Sequence, residues 1–86
     1  MIGRKGNSLA IAPGVFNQLE VKVLFPIDLL KKKVLGYTNV GIICVLYEEG
    51  GKIVKVPFAK NRKWFQAMVS EPEWAALASI PQIYVV

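Results

Sequence analysis

The chain has 86 residues, 53% of them apolar, a net charge of +5 and a pI near 9.6. That length gives one domain, residues 1–86, with only a few kcal/mol of net stability. Its single cysteine, Cys44, rules out an internal disulfide, and the absence of His removes the commonest metal ligand and general base.

Residues 1–7 carry Arg4 and Lys5 between glycines and are expected to form a flexible basic arm. Residues 8–12 suit a short strand, Pro13-Gly14 a turn, and residues 19–25 a strand alternating Val21, Val23 and Phe25 with Glu20, Lys22 and Leu24. Pro26-Ile27-Asp28 starts one or two helical turns to residue 34. Lys31, Lys32 and Lys33 then fall near the C-terminal end, where the helix dipole favours cations, and Gly36 is the stop.

The strongest local signal is Gly50-Gly51 between two apolar runs, the composition of a two-residue hairpin turn. With Glu49 opposite Lys52, Tyr47 meets Val54, Val45 meets Val56 and Ile43 meets Phe58, so six large side chains share one core face. The other face mixes Ile42, Cys44, Leu46 and Ile53 with Glu48, Lys55 and Pro57. It needs a cover, either a helix of the same chain or another protomer. Cys44 reads as a small buried hydrophobe.

After the hairpin, residues 63–69 alternate as a strand, with a helix the less favoured alternative. Ser70-Glu71-Pro72-Glu73 is a capping box, with Val69 and Trp74 as its hydrophobic staple, and it opens a helix over residues 71–79. Pro81 then releases a C-terminal strand at residues 82–86. The whole reads as a mainly β, α+β fold: a small curled antiparallel sheet, or an SH3-like partial barrel, with one or two short helices.

An enzyme is not expected. The adjacent carboxylates, Glu48/Glu49 and Glu71/Glu73, are explained as solvating charges at a turn and as acids in a helix's first turn. No cofactor, metal or small-molecule substrate is implied. The uncharged segment at residues 34–47 contains Thr38 and Asn39 and is too short to span a membrane, and no uncharged segment is longer. Pro13-Gly14 interrupts any signal-peptide core, so the expected compartment is the cytoplasm.

Three basic groups stand out: Arg4 and Lys5; Lys31, Lys32 and Lys33; and Lys60, Arg62 and Lys63, the last followed by Trp64 and Phe65. If they converge they form a footprint for DNA or RNA, with cations on phosphates and rings available for stacking; if they do not, they are solvated faces, and Trp64 and Phe65 are in the first place candidates to fill the core. The apolar excess argues independently for a second chain, because a domain this small leaves much of its surface exposed. A homo-oligomer, most simply a dimer, would bury Ile42, Cys44, Leu46 and Ile53 at a protein interface.

The run Arg4-Lys5-Gly6-Asn7-Ser8-Leu9-Ala10-Ile11-Ala12-Pro13 resembles the strand motif of the swapped-hairpin AbrB/MazE-type DNA-binding proteins. Leu35-Gly36 and Glu49-Gly50-Gly51-Lys52-Ile53-Val54 are similar to that motif's later half. This chain departs from the pattern in an early proline, a long middle insertion and a missing Gly-Asp dipeptide. The resemblance implies an intertwined homodimer with Arg4, Lys5 and Asn7 near DNA. The function expected from the sequence is a non-catalytic, self-associating basic module for an anionic partner, foremost nucleic acid. The alternative is a structural or regulatory protein-interaction subunit with no nucleic-acid role.

Overall fold

A computed structural model of the chain describes residues 2–6, 8–24, 26–58, 70, 72, 77 and 79–86. Its centre is set by Gly50 and Gly51, which take φ of +59° and +78°, the left-handed geometry a primed turn demands and a side chain resists. The turn joins β5 (Ile43–Glu49) to β6 (Lys52–Phe58). Their register is the one expected, with Glu49 on Lys52, Tyr47 on Val54, Val45 on Val56 and Ile43 on Phe58. One face of this hairpin is the first core, where those apolar residues pack with Leu29 and Leu77.

The fold is mostly β, and the described residues form two small sheets and two short helices. Strand β1 (Gly3–Lys5) pairs antiparallel with β2 (Ser8–Ile11), and β2 pairs parallel with β7 (Ile83–Val85). The second sheet runs β3 (Glu20–Val21), β6, β5 and β4 (Lys33–Asn39), with β3 parallel to β6. Helix α1 (Pro13–Gln18) connects β2 to β3, and α2 (Pro26–Leu29) precedes β4. The antiparallel expectation is therefore corrected at two pairings. Both parallel contacts join segments distant in sequence, for which no turn signal exists.

Several local expectations also change. The basic arm is a strand in part: Gly6, at φ +65°, reverses the chain so that Lys5 comes opposite Ser8. Pro13-Gly14 opens α1 instead of making a turn, because a proline loses nothing at the first position of a helix. Phe16 and Leu19 then bury against the hairpin's second face. The strand expected over residues 19–25 contracts to Glu20–Val21, extended by a hydrogen bond from the Lys22 amide to the Lys55 carbonyl. Helix α2 stops at Leu29, and the amides of Lys31 and Lys32 close its end onto the carbonyls of Asp28 and Leu29.

The strand over residues 63–69, with Trp64, and most of the helix over residues 71–79, with Trp74, lie outside the described residues. Of that helix, Pro72, Leu77 and Ser79 adopt 3-10 helical turns, and Leu77 is buried.

Strand β4 was not anticipated at all, and it explains Gly36. The register slips between Val34 and Gly36, a bulge that turns β4 toward the C-terminal strand. There Tyr37 bridges Gln82, and its amide donates to the Pro81 carbonyl at 3.0 Å. Gly36 is no helix stop. It is the point where the two sheets touch, since a Cβ there would sit 2.6 Å from the Pro81 carbonyl oxygen and 2.8 Å from the Ile83 Cδ1.

The second core fills the space between the sheets: Ile11, Phe16, Leu19, Cys44, Leu46 and Ile83, with Leu9, Val15, Leu35, Ile53 and Val85 at its margin. Gly36→Ala drives a methyl into the Pro81 carbonyl and the Ile83 side chain, so it should destabilise the protein by about 1–3 kcal/mol, the usual cost of overpacking. Urea unfolding monitored by tryptophan fluorescence measures this. A variant as stable as the parent would mean that the sheets do not meet at Gly36.

Candidate anion-binding surface

The lysine run lies where α2 hands over to β4, beside the turn end of the central hairpin. There it meets the two glutamates that end β5. Glu49 accepts from Lys22 Nζ at 2.9 Å and from Lys32 Nζ at 2.8 Å, one lysine on each carboxylate oxygen. Lys33 approaches Glu48 at 3.7 Å. Lys32 also stands 5.7 Å from the centre of the Tyr47 ring, within cation–π range. Hydrogen bonds from Lys32 and Lys22 hold the Glu49 carboxyl down to about 2 from its ordinary 4.5. The same hydrogen bonds raise Lys22 and Lys32.

These contacts divide the run. Lys32 is committed to Glu49 and Lys33 leans on Glu48, whereas Lys31 is exposed with no ion pair among the described residues. Arg4 is likewise exposed, and Lys5 sits beside it on β1. The structure does not bring these two groups together. Arg4 and Lys5 belong to the outer strand of the three-stranded sheet, Lys31 to Lys33 to the start of β4, with β2 and β7 between. Lys60, Arg62 and Lys63, with Phe65, lie outside the described residues.

Lys55 shows how a charge on the mixed hairpin face is accommodated. Its ammonium donates to the Phe16 carbonyl at 2.9 Å and lies 4.4 Å from the centre of the Phe16 ring. A cation at the C-terminal end of α1 is favoured by the orphan carbonyls there. This one fastens the helix onto β6.

The residues expected at a protomer interface divide as well. Leu46 is fully buried and Cys44 nearly so, both beneath α1, β2 and β7 of the same chain. They belong to the second core. Ile53 is half-buried at its margin, and Ile42, 47% exposed, is the member of the four that faces solvent. Burial pushes the Cys44 thiol up, with the Thr38 hydroxyl and the Lys55 charge acting against it.

The described residues line two open recesses. One, of about 460 Å³, lies between α1 and the hairpin turn, with Val15, Leu19 and Ile53 in its floor and Gln18, Glu20 and Lys52 around it. The other, of about 220 Å³, lies on the outer face of the three-stranded sheet beside Tyr84, lined also by Ser8, Leu9, Ala10 and Val86. Tyr84 escaped the sequence reading, which took residues 82–86 only as a strand. Alternation held the clue: Ile83 and Val85 turn inward, so the ring between them turns out. Among the described residues, no three of His, Cys, Asp and Glu stand close enough to hold a metal ion, and no helix is long and apolar enough to cross a membrane.

The Glu49 pairs predict an acid dependence. Because the folded carboxyl titrates below the unfolded one, its contribution is present above about pH 4.5 and fades as pH falls toward 2. The contribution is small, since these groups are exposed to solvent and screened by salt. Thermal melts of the parent and Glu49→Gln at low salt should therefore differ at pH 7 and converge by pH 2, with the gap shrinking in high salt. A gap that persists unchanged to pH 2 would mean the lysines do not hold Glu49. Compared with family models, curated proteins and solved structures, the chain finds no match in any of the three.

Proposed function

We propose that this chain is a non-catalytic module that binds nucleic acid through its exposed positive charge. The observation that carries the reading is what remains after the ion pairs are drawn. Glu48 and Glu49 are matched by Lys33, Lys22 and Lys32, while Arg4, Lys31 and Lys52 stay exposed with no ion pair among the described residues. The whole chain keeps a net +5. Such a surface attracts polyanions and gains affinity by releasing their counterions.

Self-association is not part of this reading. The face that suggested it is largely filled from within the chain, by Phe16, Leu19 and Ile83 packed over Cys44 and Leu46. A second reading, a protein-interaction subunit, is favoured by one observation: Val40 and Ile42 stand about half exposed on either side of Gly41 in the β4–β5 turn.

Salt separates the two. Binding to a fluorescently labelled single-stranded oligonucleotide should weaken steeply with salt, log K falling by about 0.7 per decade of salt for each phosphate neutralised. Arg4→Gln and Lys31→Gln should each flatten that slope by up to about 0.7. Lys22→Gln, whose ammonium is already held by Glu49, should leave it nearly unchanged. Absence of binding at 50 mM salt, or binding indifferent to salt, would contradict the nucleic-acid reading and favour the protein-interaction one.

A further inference from the structure

The four-stranded sheet has two edges, and they differ. At β4 the edge is met by the C-terminal segment, where Tyr37 bridges Gln82. At β3 no described strand pairs on the outer side. The Lys22 amide donates to the Lys55 carbonyl, inward to β6. Backbone groups of successive strand residues point to opposite sides, so the amide and carbonyl of Val21 point away from β6. Val21 is 55% exposed and Val23, two residues on, is 85% exposed.

Short edge strands and edge lysines normally ward off a partner strand. Here the charges work the other way, because Glu20 and Lys22 stand on either side of Val21. When two copies run antiparallel about a two-fold axis at Val21, that residue meets its own counterpart and the two exchange both backbone hydrogen bonds. Glu20 of each copy then stands opposite Lys22 of the other. Glu20 is exposed with no ion pair among the described residues. Lys22 gives Glu49 one of its three ammonium donors and keeps a side chain 39% exposed.

We propose that the outer edge of β3 pairs with a second copy of this chain, joining two four-stranded sheets into one of eight strands across a two-fold axis at Val21. Any strand could use the free backbone groups. The order Glu-Val-Lys, however, is complementary to itself when reversed, and that selects another copy of the same edge. The inference is independent of the nucleic-acid reading. It also concerns a different surface from the mixed hairpin face, over which Phe16, Leu19 and Ile83 of the same chain are packed, and pairing at β3 leaves that cover in place. The ladder is short, since the Leu19 amide is already taken by the Phe16 carbonyl. Association is therefore expected at the weak end of specific contacts, with Kd on the order of 10–100 µM.

Sedimentation equilibrium of the full chain, free of nucleic acid and run from micromolar to millimolar concentration, tests the pairing, with circular dichroism to verify that each variant folds. The parent should pass from monomer to dimer across that range. Glu20→Lys and Lys22→Glu each set like charges face to face twice in the two-fold contact, so either alone should weaken dimerisation by about 5-fold or more. Mixed in equal amounts, the two variants are complementary again and should associate about as tightly as the parent. The double variant Glu20→Lys/Lys22→Glu should do the same. Both single variants keep a net positive charge, so general attraction does not produce this rescue. Glu20 has no ion pair to lose among the described residues, so Glu20→Lys decides the matter even if Lys22→Glu, which forfeits the Glu49 contact, does not fold. A parent that stays monomeric at millimolar concentration, or a dimer that Glu20→Lys leaves intact, overturns the proposal. So does a mixture of two folded variants that fails to associate.

Discussion

The structure depends on β5 being buried on both faces. Ile43, Val45 and Tyr47 enter the first core, with Leu29, Val54, Val56, Phe58 and Leu77; Cys44 and Leu46 enter the second, with Ile11, Phe16, Leu19 and Ile83. Five successive residues of one strand are buried, so β5 is the wall that two cores share. A strand buried on both sides reads as a continuous apolar run, and Ile43-Cys44-Val45-Leu46-Tyr47 is such a run. Strands β4 and β6 pair along its two edges, and the elements outside the sheet cover its faces. Helix α1 and the three-stranded sheet take the second, while Lys55 fixes α1 in position through the Phe16 carbonyl.

This arrangement changes the meaning of the apolar composition. An 86-residue chain with 53% apolar residues looks as though it needs a neighbour, and a single core would leave that impression intact. Two small cores back to back use more of the apolar side chains than one. What stays exposed among the described residues is specific: Val21 and Val23 after α1, Leu30 after α2, Val40 and Ile42 in the β4–β5 turn, Tyr84 and Val86 at the C-terminus. Of these, Tyr84 is the aromatic one, and it lies beside the smaller recess together with Val86.

Much of the centre was legible in the sequence because its signals are local. Gly50-Gly51 fixed the turn, alternation fixed the register, and the two together placed every hairpin pair. The C-terminal strand was legible too, because Pro81 ends whatever precedes it. Strand β4 was hidden by its own first residues, since three lysines after a short helix resemble a helix end, and Gly36 resembles a stop when its reason is a crossing of two sheets. Helix α1 was hidden because proline and glycine serve a turn and a helix start equally well. Parallel pairing of β2 with β7, across most of the chain, leaves no local trace. The candidate site followed the same rule. Lysine clusters are visible in sequence, but their neutralisation by Glu48 and Glu49 is a tertiary fact, as is the recess beside Tyr84.

The single cysteine offers the most direct test of the shared wall, because Cys44 lies on the β5 face that α1, β2 and β7 cover. Its reaction with an excess of a thiol reagent can be followed in dilute native protein over a range of protein concentrations. If one chain fills both cores, labelling is slow, accelerates only as denaturant opens the fold, and has the same rate at every protein concentration. Rapid labelling of the dilute protein, or protection that appears only as concentration rises, would mean that the cover comes from a second molecule and that the two-core account is wrong.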